Sequence, residues 1–111
     1  MALGLIEVFG FTTAVVVADA VAKAADVTIV ALDKNKPAAG DAAEVPLLMT
    51  VKIEGDVAAV EAGMRAGVAE AEKRGLLSTS FLISGQAADT EKMARINALG
   101  KDKLNNYLNE Y

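Results

Sequence analysis

Hydrophobic and polar positions change period several times along the chain, and each change marks an element. Leu3–Val8 is a short apolar run with Glu7 near its end, the pattern of a strand buried on both faces; Gly10 breaks it. From Ala14 to Ala25 apolar residues return at helical spacing (Val15, Ala18, Val21 or Ala22, Ala25), with Thr12 or Thr13 placed to cap the first turn. Asp19 and Lys23 form an acid-then-base i,i+4 pair, the favourable order on an exposed helix face. Val27–Leu32 is β-branched and apolar, a second strand. In Leu47–Glu54, Met49, Val51 and Ile53 alternate with Thr50, Lys52 and Glu54, which predicts a third strand with one wet face. A helix follows from Gly55-Asp56 to about Arg74, with core stripe Val57, Val60, Met64, Val68 and Ala71 and a stop at Gly75. Gly63 and Gly67, four apart, weaken a helix interior unless something packs closely there. Leu77–Ser84 is a fourth strand, and Asp89–Leu99 and Lys101–Leu108 are short terminal helices.

Asp33–Pro46 has neither period. It holds both prolines, Pro37 and Pro46, with Gly40 and loosely alternating charges, and predicts a long loop. The order βαβ, βαβ is a split βαβ: an α/β (α+β) ferredoxin-like fold, one antiparallel-type sheet backed by two helices, with a C-terminal helical extension.

Composition narrows the function. The 111 residues make one domain, 53% hydrophobic but only 5% aromatic, so short apolar side chains build a thin core and subunit contacts are expected to take up the excess. There is no Cys or His, which removes thiolate and imidazole metal ligands and the commonest general base. Ser78, Ser80 and Ser84 therefore lack a base. Asp33, Asp41 and Glu44 fit no calcium loop, and Glu54-Gly55-Asp56 at a strand-to-helix turn reads as capping. Glu70 with Lys73 or Arg74 is ordinary helix-surface pairing. No catalytic residue, metal site or cofactor is expected. A net charge of −4 argues against a nucleic-acid partner. The expectation is a soluble cytoplasmic protein without signal or membrane segment.

Three segments carry a resemblance: Ala2–Val8 leading into Phe9-Gly10-Phe11, Val21–Val27, and Thr50–Val57, joined by Ala62-Gly63 and Ala66-Gly67 on the long helix. In this order and spacing the chain resembles the single-domain bacterial microcompartment shell proteins. The resemblance implies a shell domain over residues 1–87 and an extension over 88–111. It implies a cyclic homohexamer that tiles with neighbouring hexamers and other shell proteins, encloses enzymes, and passes small metabolites through a central pore. By family position, Lys23 is the hexamer-edge contact. The arginine that completes that contact in the family is missing from Ser84-Gly85-Gln86, so edge pairing is expected to be weaker, to use Gln86 or another group, or to favour a different neighbour. The family's short pore turn is replaced by an enlarged loop over 33–46. Lys34, Asn35, Lys36, Pro37, Ala38, Ala39, Gly40, Asp41 and Glu44 are its candidate pore residues, which narrow, plug or reshape the opening, or fold away over one face. Tyr107, Leu108 and Tyr111 give the extension an apolar side for docking on its own or another subunit. The alternative from another class is a trimeric or dimeric ligand-sensing regulatory module on the same topology.

Overall fold

A computed structural model describes residues 1–96. In it β1 (Ala2–Phe9), α1 (Phe11–Ala24), β2 (Thr28–Asn35), β3 (Leu48–Gly55), α2 (Val57–Lys73), β4 (Leu77–Ile83) and α3 (Ala88–Arg95) follow in order. The strands form one antiparallel sheet in the order β2-β3-β1-β4, so the two central strands come from different halves of the chain. This is the split βαβ arrangement, and the fold is α+β. The expected helix over Lys101–Leu108 and the apolar side at Tyr107, Leu108 and Tyr111 lie outside the described residues, as does the end of the expected helix beyond Ile96.

Alternation on the central strands sets the layers. Ile6 and Val8 of β1 and Met49, Val51 and Ile53 of β3 are almost wholly buried beneath α1 and α2, which present Val17, Val21 and Val60. Each such side chain contributes about 1.5–3 kcal/mol by leaving water. Gly63 and Gly67 are where the two helices and the sheet converge. A Cβ at Gly63 would stand 3.0 Å from Val21 Cγ1 and 3.4 Å from Ile53 Cδ1. The small residues thus serve packing within the subunit.

The phase of α1 differs from the sequence expectation. Its buried residues are Thr13, Ala14, Val17 and Val21, while Val15 is exposed. Gly10, at φ 94° and ψ 147°, turns the chain within one residue, so the helix begins at Phe11 and Thr12 and Thr13 fall inside its first turn. No side chain caps it. Val57, expected in the α2 stripe, is also exposed; the buried set is Val60, Gly63, Gly67 and Ala71. The end of α2 follows expectation: Gly75, at φ 70°, donates to the Glu72 carbonyl and Leu76 to that of Ala71, the paired bonds of a Schellman motif.

The second face of the sheet is not wet throughout. Lys52 and Glu54, on the side opposite Met49, Val51 and Ile53, are buried at 9% and 2% exposure. Here α3 lies across the sheet, and its Arg95 reaches Glu54.

Candidate functional site

The residues for which pore and edge roles are expected fall in two regions at opposite ends of α1. Lys23 sits in its last turn. Its Nζ lies 2.7 Å from Asp19 Oδ2, while its side chain remains 75% exposed. The hydrogen bond from Lys23 to Asp19, and the charge of that carboxylate, raise its pKa above the ordinary 10.5, so it is cationic at neutral pH. The other end of α1 begins at Gly10, against which the enlarged loop packs. At 1.5 Å per residue, Lys23 and Gly10 are roughly 20 Å apart along the helix.

The loop is shorter than the sequence pattern indicates. Strand β2 continues through Asp33, Lys34 and Asn35, which pair with Thr50, Met49 and Leu48. Lys34 and Asn35 are therefore strand residues, and the connection proper runs from Lys36 to Leu47. Asp33 Oδ1 accepts the Lys34 amide and Asn35 Oδ1 the Lys36 amide, both at 2.9 Å, which shapes the exit from the strand. Pro37 is buried, and its carbonyl accepts the Gly40 amide at 2.9 Å. A 3₁₀ turn over Gly40–Ala42 follows, where Gly40 takes φ 58°.

The returning limb is tied to its own domain. The Gly10 amide donates to the Leu47 carbonyl at 2.8 Å, and Val45 Cγ1 lies 3.7 Å from where a Gly10 Cβ would stand. The Phe9 amide also donates to the Leu76 carbonyl at 2.9 Å, bringing the α2–β4 turn to the same end. Two open depressions result. One, about 330 Å³, is lined by Lys34, Asn35, Lys36, Pro46 and Leu47. The other, about 390 Å³, lies between the Ala43–Val45 limb and the Arg74–Leu76 turn, beside Phe9. Lys34, Asn35, Lys36, Ala38, Ala39, Asp41 and Glu44 are exposed and Gly40 is half-buried. The structure thus gathers the candidate pore residues at one end of the domain, apart from Lys23.

Gln86 does not lie free at an edge. Its amide Nε2 donates to Glu54 Oε2, and its backbone N–H to the Met1 carbonyl at 3.0 Å. Arg95 completes the cluster with Nη2 2.6 Å from Glu54 Oε1 and Nη1 3.2 Å from Oε2. Beside it, Lys52 Nζ reaches Asp33 Oδ2 at 3.4 Å and the Ile96 carbonyl at 3.1 Å. Sequence reasoning missed this cluster and assigned Glu54 to capping. Asp56 occupies the N-cap of α2 without a side-chain bond, and Glu54 faces α3 instead. The available signal was a carboxylate on a central strand with an arginine on a terminal helix. The ordinary surface pairs appear as expected, with Glu70 bridging Lys73 at 3.8 Å and Arg74 at 3.1 Å.

Among the described residues no group of three or more His, Cys, Asp or Glu could hold a metal ion, and no helix is long and apolar enough to cross a membrane. Phe81 (65% exposed) and Phe11 (53%) are large apolar side chains left at the surface.

Known proteins resemble this domain over most of its length. The BMC domain family model matches residues 2–86. The bacterial microcompartment shell protein PduA of Citrobacter freundii is 37% identical over 83% of this chain and 89% of its own length. PduK of the same organism, also a bacterial microcompartment shell protein, is 40% identical over 74% of this chain and 47% of its own. A solved microcompartment protein from Desulfitobacterium hafniense DCB superposes with a TM-score of 0.68 at 32% identity, covering 82% of this chain and 47% of that one. The chain therefore spans about half of these last two proteins and most of PduA.

Proposed function

Because the chain belongs to the BMC domain family of bacterial microcompartment shell proteins, we propose that it is a structural, non-catalytic tile: a cyclic hexamer that packs edge to edge into shell facets within the cytoplasm. A pore on the sixfold axis passes small metabolites, and its neighbours are other hexamers, other shell proteins and the enclosed enzymes. The observation that carries this reading is the disposition of the two candidate regions at opposite ends of α1. A ring needs one end of each subunit at its centre and the other at its rim, and the separation of the loop from Lys23 along α1 supports assigning the loop to the centre and Lys23 to the rim.

Two further features support it. Exposed Phe11 and Phe81 leave apolar surface for subunit contacts. Lys34 near the end of β2 and Lys36, Asp41 and Glu44 of the loop are exposed, and sixfold repetition turns each into a ring of charge. Sedimentation and electron microscopy test the reading together. Six-chain particles that form sheets or tubes with a sixfold lattice at high concentration support it; a discrete dimer or trimer without a lattice overturns it.

A further inference from the structure

The geometry points to α3 as an ionic strap: a helix held on the second face of the sheet through the Glu54 carboxylate, and able to leave it while the sheet, α1 and α2 stay folded. This inference is independent of the assembly proposed above.

Among the described residues, the attachment of α3 is almost entirely polar. Of its eight residues only Ala94 is buried, while Asp89, Glu91 and Lys92 are exposed and Met93 is 65% exposed. Its hold comes from both ends of one short stretch. Gln86, ahead of the helix, and Arg95, in its last turn, converge on the same carboxylate, whose side chain is 3% exposed. Just beyond, the Ile96 carbonyl takes the Lys52 ammonium at 3.1 Å. By contrast, α1 and α2 meet the opposite face through Val17, Val21 and Val60, all fully buried. Lifting α3 leaves that apolar core untouched.

Charge makes the strap close to all-or-none. With α3 in place, Glu54 is a buried carboxylate, tolerable because Arg95 engages both of its oxygens and Gln86 one of them. With α3 lifted, carboxylate and guanidinium return to water, which solvates both well, so rehydration offsets much of the lost pairing. An apolar helix has no such exit. Two states of the second face follow, one covered by α3 and one presenting Lys52 and Glu54 to whatever lies against it.

Hydrogen exchange followed by mass spectrometry on the full chain tests this. In the wild type, amides of 91–96 should exchange at least tenfold faster than the ladder amides of β1 and β3. Arg95→Gln should speed the α3 amides by a further tenfold or more with β1 and β3 unchanged, and Arg95→Lys should fall between. Glu54→Gln, which removes the buried charge rather than orphaning it, should release α3 in the same way. The strap is overturned if α3 and the central strands exchange together in the wild type. It is equally overturned if the α3 rates ignore Arg95→Gln, or if both variants accelerate the whole domain alike.

Discussion

Gly67 of α2 lies so close to Ile6 of β1 that a Cβ on the glycine would stand 2.6 Å from Ile6 Cδ1, and 2.7 Å from Val21 Cγ2. Both neighbours are fully buried, and Val21 is β-branched with little freedom to turn aside. Gly67→Ala gains about 1 kcal/mol of helix preference but overfills the core, at about 1–3 kcal/mol. The expected outcome is a net loss of up to roughly 2 kcal/mol, the core being rigid enough for the clash to win. At Gly63 the nearest contact is 3.0 Å and the next 3.4 Å, so Gly63→Ala should be close to neutral. Urea unfolding at unchanged slope would separate the two; equal midpoints would mean that the sheet yields to α2.

Gly10 carries a different constraint. Its φ of 94° and ψ of 147° belong to a region essentially reserved for glycine. Gly10→Ala should therefore cost about 1–3 kcal/mol and disturb the amide that donates to Leu47. Gly75 also has positive φ, but at 70° and with open space around it, a conformation that asparagine tolerates. Gly75→Asn should leave the unfolding midpoint within a few degrees of wild type, whereas Gly10→Ala lowers it clearly.

How much of this was legible in the sequence depends on what each element answers to. The alternation of Met49, Val51 and Ile53, and the span from Asp56 to Gly75, are local signals, and the structure keeps them. The face of α1 is not a local signal. Phe11, Ala14, Val15, Val16 and Val17 are apolar all round, so packing against Gly63 and Gly67 decides which are buried. Polar Asp33, Lys34 and Asn35 read as loop, yet backbone pairing with Leu48–Thr50 is indifferent to side-chain polarity. Lys52 and Glu54 read as wet because the helix that covers them arrives with Arg95, 41 residues after Glu54. The loop itself was legible from its prolines and lack of period, but the roles of Lys23 and the loop were legible only as positions within a family pattern; their separation along α1 needed the fold.

Lys23→Ala should leave hexamers and thermal stability unchanged while impairing sheets or tubes. The Asp19 pair is exposed on both sides, and such pairs contribute little to folding. Because the pKa of Lys23 is raised, whatever the pair contributes is fully present below 10.5, the ordinary lysine value, and is lost as pH rises through the higher folded value. Lattice formation through Lys23 should then be flat across neutral pH and fail only in strong alkali. Electron microscopy of wild type and variant across pH checks this; normal sheets from Lys23→Ala would remove the residue from the edge.

Replacing Lys36–Leu47 by Asn-Gly tests whether the loop is a folding element or a pore element. Asn35 already pairs with Leu48, so a two-residue hairpin turn closes the same ladder. Shortening the connection from about twelve residues to two recovers roughly 1.5 kcal/mol of closure entropy. That is comparable to the bond lost between the Gly10 amide and the Leu47 carbonyl, about 1 kcal/mol, together with the contacts of buried Pro37. The domain should therefore fold with nearly its original midpoint. Both depressions at this end lose their loop wall, and Lys36, Asp41 and Glu44 disappear with it. In assembled sheets the opening on the sixfold axis should widen in projection, and small charged solutes should cross at a different rate. A folded variant with an unchanged axis and unchanged passage would place the loop away from the pore, and a variant that fails to fold would make it part of the scaffold.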